Sequence, residues 1–460
     1  MRISERVSRF NLSMSDDELD ARIRWPAKSI NSAISDPYIL CVALEKALNE
    51  MFEPDLQVRN IIRNLLSQTR SYAEIYFGSD EEFIAKMYSK SPWGMARAPA
   101  ICLTGIAGVG KSALLLALLR LLPLPEWIKI PGHNLPLVSS WPLSLSNGTA
   151  LSDLLGEFVL PKDEGASRSD VGYGQMHNKI KRIGNGSLLR LARKIAWRDS
   201  VCLLSVDEFQ WVAAGDDANA RASKLLLTLH GIGPLFVFCS NYSLVNKLAK
   251  RTHEDRQRLL SRPIVMQPLS ISDPGWIAYL HAVKSVAPVL LNFDPMHDAE
   301  TIHRYTFGIK RLVVLLVVAA VKLARTKNPR ATVDVESLKA AYNSAEYSAN
   351  RRDVEDLIKQ GITGKAVRAD LWCPFRATPN TAKVVSADSA IASFERRTQE
   401  ALLVSALSPA EANAHAAIAA SDAATMRPGK VVRLARSKVT KASLLEGAAA
   451  LDEFIKHPRS

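Results

Sequence analysis

Between Ala98 and Leu122 the chain reads APAICLTGIAGVGKSALLLALLRLL, and that spelling leaves few folds open. Ala100–Leu103 is a short apolar run of the kind that forms a buried parallel strand. Gly105-Ile106-Ala107-Gly108-Val109-Gly110-Lys111-Ser112 is a glycine-rich turn, and Ala113–Leu122 is rich in strong helix formers. A strand, then G-x-x-x-x-G-K-S, then a helix is a phosphate-binding loop in its required context. Glycines reach positive φ and place no side chain between backbone N–H groups and phosphate oxygens. The helix that opens near Lys111 aims its partial positive charge at the same anion. The candidate binding residues are therefore Gly105, Ala107, Gly108, Val109, Gly110, Lys111, Ser112 and Ala113. Lys111 is expected on the β- and γ-phosphates of a nucleotide, and the Ser112 hydroxyl on Mg2+.

A chain of 460 residues has room for about three units of roughly 150 residues each. With 47% hydrophobic and 23% charged residues it can bury a core, which excludes a disordered chain. The net charge of +13 and pI near 9.5 favour polyanionic partners. Cys41, Cys102, Cys202, Cys239 and Cys373 are scattered, without a CxxC pair or a Cys/His spacing suited to zinc. Three of them, Cys102, Cys202 and Cys239, fall in expected core strands, where a free thiol acts as a small apolar group. A reducing, cytoplasmic compartment fits that usage. The first residues lack the apolar stretch of a signal peptide, and the apolar run Leu312–Val321 is far short of the roughly 20 residues that span a bilayer. No membrane is expected.

Residues 1–95 are expected as a helical N-terminal region, either a small domain or a cover on the α/β unit that follows. Tyr38–Met51 and Gln57–Leu66 carry apolar residues at helical spacing, with Pro26, Pro37 and Pro54 as punctuation. Leu135–Leu145 is expected to hold a second strand, confined by Pro136 and Pro142 to the short piece between them. Ala150–Val159 reads as a helix and Pro161–Gly174 as a surface loop. Lys179–Arg198 carries Lys179, Lys181, Arg182, Arg190, Arg193, Lys194 and Arg198 without an acidic residue. A helix there would set several cations on one face, a candidate surface for nucleic-acid phosphates or simply a solvated one.

Val201–Val206 is a continuous apolar run ending in Asp207-Glu208. Downstream of a phosphate loop, Asp207 is expected to hold the metal and Glu208 to polarise the attacking water. Leu235–Ser240 is the next buried strand, ending in Asn241, whose side chain would reach the γ-phosphate from the neighbouring strand. Glu254–Arg262 is charged and helical; Arg262, with Arg258 as second choice, is expected to meet the nucleotide of a neighbouring subunit. Asp273–Ala287 and His297–Lys327 read as helices of a small lid, with Arg311 (or Lys310) reaching back to the phosphates. From about Asn350 the composition turns to Ala, Ser and Thr. Residues 351–460 are expected as a basic tail, extended or weakly ordered beyond 366, that binds a partner or only solubilises the chain.

With the phosphate loop, Asp207-Glu208, Asn241, Ser261-Arg262-Pro263 and Gly308-Ile309-Lys310-Arg311 in that order, the chain resembles AAA+ ATPases. Cys239–Leu248 (CSNYSLVNKL), followed by Glu254–Arg262 and Trp276, is similar to the TnsC/TniB family, the ATPase regulators of DNA transposition. Ile34–Tyr38, the Asn134–Leu145 region and the helix at Leu151 add to that similarity, which spans residues 25–345. The loop ends in Ser where Thr is frequent, and the long gap from Lys111 to Asp207 implies an insertion around 161–178. The resemblance implies an α/β P-loop NTPase of AAA+ type: a parallel sheet flanked by helices (96–268), with a helical lid (269–350). It implies ATP and Mg2+ as cofactors, in the cytoplasm of a bacterium. It also implies double-stranded DNA as partner, with copies of the chain in a ring or filament, linking a target-selector protein to a transposase. Glu208, Asn241, Arg262 and Arg311 would then serve hydrolysis, and Ser112 and Asp207 the metal. A replication initiator or helicase loader shares these motifs, and a nucleotide-gated protein adaptor shares the cleft.

Overall fold

Five of the short apolar runs lie side by side in one parallel sheet. In chain order the strands are β1 (Ile101–Gly105), β2 (Glu126–Ile130), β3 (His133–Leu137), β4 (Ser140–Ser144), β5 (Leu203–Asp207), β6 (Leu235–Ser240) and β7 (Arg262–Met266). The computed structural model describes residues 4–10, 13–89, 99–130, 133–145, 151–159, 183–207 and 218–375. The sheet order is β4-β5-β6-β1-β7, every neighbouring pair parallel, while β2 and β3 form a separate antiparallel ribbon. The phosphate-loop strand β1 thus sits between β6 and β7, and β5, which ends in Asp207, lies one strand further out. That is an α/β P-loop NTPase fold of AAA+ type.

Strand alternation explains why the central runs are apolar throughout. Leu103, Leu203, Val237 and Cys239 bury into one hydrophobic cluster, and Cys102, Leu204, Val206, Phe236 and Phe238 into a second on the opposite face. The helices, in order, are α1 (Glu5–Ser8), α2 (Asp16–Ile23), α3 (Pro37–Glu50), α4 (Leu56–Phe77), α5 (Asp80–Tyr88), α6 (Lys111–Leu121), α7 (Leu151–Val159) and α8 (Asn185–Arg198). They continue as α9 (Ala218–His230), α10 (Tyr242–Leu248), α11 (His253–Leu260), α12 (Pro274–Val286), α13 (Ala299–Thr306), α14 (Lys310–Lys327), α15 (Val335–Tyr342) and α16 (Ser348–Thr363). Residues of α2, α4, α5, α6 and α16 cover the first face, and residues of α7 to α11 the second.

The N-terminal region is helical but does not stand apart. Leu19, Ile62, Leu65 and Phe77 belong to the cluster under the sheet, whereas Leu40, Leu44 and Leu48 of α3 pack with Trp276, Leu280 and Val317 of the lid. Its helices start where the chain supplies caps: Ser15 and Glu18 form a capping box on α2, and Asp36 accepts the Tyr38 N–H at 2.8 Å ahead of Pro37.

Four boundaries depart from the sequence reading. Pro136 and Pro142 lie inside strands, not between them, because β3 belongs to a two-stranded ribbon and β4 is a sheet edge, where a missing N–H costs no ladder bond. The stretch 297–327 breaks at Phe307 and Gly308, both in the left-handed region with φ 53° and 67°. A Cβ on Gly308 would stand 2.0 Å from the Leu269 carbonyl oxygen, so only glycine fits there. The basic helix begins at Asn185, which leaves Lys179, Lys181 and Arg182 outside the described residues. Residue 351, expected to open the tail, falls within α16, whose Val354 and Leu357 are buried, and Leu371 and Phe375 still pack on the core. Residues 376–460, and the expected loop at 161–174, lie outside the described residues. No described helix is long and apolar enough to cross a membrane.

Candidate nucleotide site

The turn after β1 is shaped by three glycines with different tasks. Gly105 lies against β7, where a Cβ would meet the Met266 carbonyl oxygen at 2.4 Å. Gly108 has φ 87°, and its Cβ would stand 2.6 Å from Arg311 Cβ. Gly110 has φ 109° and is the N-cap of α6 without any side-chain cap bond, so the first N–H groups of α6 remain available to an anion.

These residues open on a cleft of about 220 Å³. Ala107, Gly108, Gly110, Lys111, Ser112 and Ala113 line it from the loop, Asp207 and Asn241 from the ends of β5 and β6, and Arg311 from the start of α14. Gly105 and Val109 do not line it; the first supports the turn against β7, and the second is buried in the core beneath.

Lys111 is largely buried, and its Nζ donates to the Gly105 and Ile106 carbonyls at 2.9 Å each. Burial pushes its ammonium down to about 8, Arg311 adds to that push, and Cys239 and Asp207 oppose it. The Ser112 hydroxyl donates to Asp207 Oδ1 at 3.1 Å. A hydroxyl and a carboxylate oxygen at that separation are hard donors suited to Mg2+, which takes few protein ligands and leaves other positions to phosphate and water. Among the described residues no cluster of three His, Cys, Asp or Glu offers a self-sufficient metal cage. Glu208 lies outside the described residues.

The start of α14 meets the cleft through its backbone as well as through the Arg311 side chain. The Arg311 N–H donates to the Gly108 carbonyl at 3.1 Å, which ties the first turn of α14 to the loop. Lys310, the other candidate, also lines the cleft, but its Nζ lies 3.0 Å from Asp55 Oδ2, with the pair largely buried. Asp55 also caps α4 by accepting the Val58 N–H at 2.8 Å. The geometry therefore favours Arg311 for the phosphate end.

Arg262 is not in this cleft. It opens β7 instead of closing a helix, opposite Ile101, while Gly105 stands opposite Met266. Four strand residues separate the two levels, about 13 Å along the sheet, and Arg262 is exposed. Of the basic helix, Arg193 donates from Nε to the Gly231 carbonyl at 2.7 Å and Arg190 to Ser187 Oγ at 3.1 Å, while Lys194 is exposed. Arg193 thus serves as a tie between α8 and the end of α9.

The sequence reading missed the other half of the cleft. Leu48, Asn49, Met51, Phe52 and Glu53, with Tyr279 and Val314, form the wall facing the loop. Trp25 and Phe52 exchange backbone hydrogen bonds of 2.9 Å, and Arg24 pairs with Glu53 at 2.8 Å, which holds that wall in place. Arg120, on the phosphate-loop helix, lies over the Trp25 ring at 4.3 Å. The one local signal was the MFEPD turn between two amphipathic helices, and nothing in it points to a loop fifty residues on.

No family model and no curated protein sequence matches the chain. Among solved structures it is similar to the Aeropyrum pernix Orc1 protein in complex with DNA, at 14% identity and a TM-score of 0.38 over 71% of this chain and 72% of that one. It is similar also to a Walker-type ATPase of Pyrococcus abyssi, at 13% identity and a TM-score of 0.36 over 62% and 77%. Likenesses this remote carry no argument about function, which rests on the residues of the cleft.

Proposed function

We propose that the chain is a Mg2+-dependent AAA+ ATPase that assembles on double-stranded DNA and regulates transposition, linking a target-selector protein to a transposase. ATP hydrolysis would govern assembly and release. The observation that supports the ATPase is the meeting in one cleft of Lys111, Ser112, Asp207, Asn241 and Arg311.

The chemistry follows from what these groups can do. The N–H groups of Gly108 to Ser112 and the start of α6 bind the phosphates, and Lys111 swings its ammonium from the loop carbonyls to the β/γ bridge. Ser112 and Asp207 would hold Mg2+, which would supply positive charge against the phosphates. Glu208, next to Asp207, orients the attacking water, and Asn241 bonds the γ-phosphate. Arg311 reports the same phosphate to the lid. The wall of Leu48, Met51, Phe52, Tyr279 and Val314 supplies an apolar seat for the base. Arg262 cannot reach its own loop, so it completes a neighbour's site, which makes assembly and hydrolysis depend on each other.

The transposition reading rests on the CSNYSLVNKL stretch and its neighbours, and the DNA reading on the basic charge. Imaging the protein with duplex DNA, Mg2+ and a non-hydrolysable ATP analogue should show rings or filaments that are lost with ADP. A protein that stays monomeric and ignores duplex DNA under those conditions overturns the proposal.

A further inference from the structure

After α16 the chain turns at Gly364, φ 63°, and comes back over the ATPase core. Two side chains fix that return. Gln360, 3% exposed, accepts the Val367 and Arg368 N–H groups at 2.9 and 3.1 Å and donates to the Leu371 carbonyl at 3.4 Å. Arg368 is shared among Asp353, Asp356 and Asp370, bonding Asp370 at 2.6 Å. Leu371 then buries with Val354 and Leu357, and Phe375 packs on the second cluster beside residues of α10.

The landing point gives this segment its interest. Asn246 Nδ2 donates to the Ala369 carbonyl at 2.8 Å, and Cys373 lies beside the buried hydroxyl of Tyr242. Both contacts are on α10, whose N-cap is Asn241. The chain that touches the phosphate loop at Arg311 and Gly108 therefore runs on, past α16, to hold the helix that begins at Asn241.

We infer that residues 365–375 are a latch that positions Asn241 in the nucleotide site, with Asn246 and Arg368 as its positioning residues. The latch rests on the ATPase reading given above. It fixes the distance between the lid and the end of β6, so the γ-phosphate is met by Asn241 and Arg311 as one unit. A rigid helix carries the restraint from Asn246 to Asn241 in little more than one turn.

The test uses the full-length protein with Asn246→Ala and Arg368→Ala, each alone and combined with Asn241→Ala, followed by single-turnover ATP hydrolysis and ATP titration. Asn246→Ala should slow hydrolysis about 3- to 10-fold and change ATP affinity less than about 2-fold, with no further loss when Asn241 is already alanine. Arg368→Ala should follow the same pattern. Unchanged hydrolysis, or the same fold loss in both backgrounds, overturns the latch. Amide exchange over Tyr242–Leu248 reads it without catalysis: it should quicken in Asn246→Ala, and wild-type protection there also overturns it. A Lys111→Ala protein that hydrolyses ATP like the wild type would end the ATPase reading instead.

Discussion

The two ends of the parallel sheet treat positive charge in opposite ways. At the carboxyl ends of β1, β5 and β6, Lys111 is buried against loop carbonyls, Ser112 bonds Asp207, and the Arg311 backbone is tied to Gly108. At the amino end of β7, Arg262 and Arg258 are exposed, and Arg258 engages the core through its carbonyl, which accepts the Ala100 N–H at 2.9 Å. A cation kept in water costs nothing, whereas Lys111 carries a desolvation penalty visible in its fall to about 8. Of Lys111, Arg258 and Arg262, the buried lysine lines the cleft and the two exposed arginines do not. The exposed arginines become useful only when another surface covers them.

That contrast can be broken by mutation. Lys111→Ala should have the largest effect, lowering ATP affinity by about two orders of magnitude or more and abolishing ATP-dependent DNA binding; nucleotide titration and DNA retention read both, and retained ATP-dependent DNA binding would remove nucleotide control. Arg262→Ala should lower assembled turnover by about 10³-fold while leaving the ATP affinity of the monomer nearly unchanged. Mixing it with Lys111→Ala protein should restore part of the activity, since each supplies the half the other lacks. If mixing restores nothing, Arg262 does not act across an interface.

Smaller effects sharpen the comparison. Lys111 sits below the usual lysine value of 10.5 in the folded protein, so the unfolded chain binds more protons between about pH 8 and 10.5, and stability should rise with pH through that window. Lys111→Met should stabilise the protein by on the order of 1–3 kcal/mol at pH 7, and the gain should vanish above pH 10.5; melting curves across that range check the sign. Arg190→Ala with Lys194→Ala should reduce the log–log salt slope of DNA binding by about 0.9 per lost phosphate contact. An unchanged slope takes α8 out of the DNA surface.

What the sequence disclosed follows the range of its signals. β6 is legible to the residue, because five consecutive apolar residues, Leu235 to Cys239, between Pro234 and the polar Ser240-Asn241 describe a strand buried on both faces. The phosphate loop was legible because its glycines are demanded by close backbone approach, as at Gly105 and Gly108. The wall at 48–53 was not, since its place depends on how α3 packs against the lid, a contact between segments more than two hundred residues apart. Gly308 reads as part of a helix start; the Leu269 carbonyl that leaves no room for a Cβ there comes from a distant segment, which local spacing cannot reveal. The composition opens the tail at 351 because Val354, Leu357 and Leu371 are few in a polar stretch, yet all three reach the core.

Both outer strands of the sheet contain a proline, Pro142 in β4 and Pro263 in β7. Each rim of the sheet thus lacks one amide donor, and an incoming strand could not zip along it without a gap. Strand-to-strand pairing between copies is therefore disfavoured at both rims of this sheet. A contact between copies at either rim would fall to side chains instead of a continuous backbone ladder.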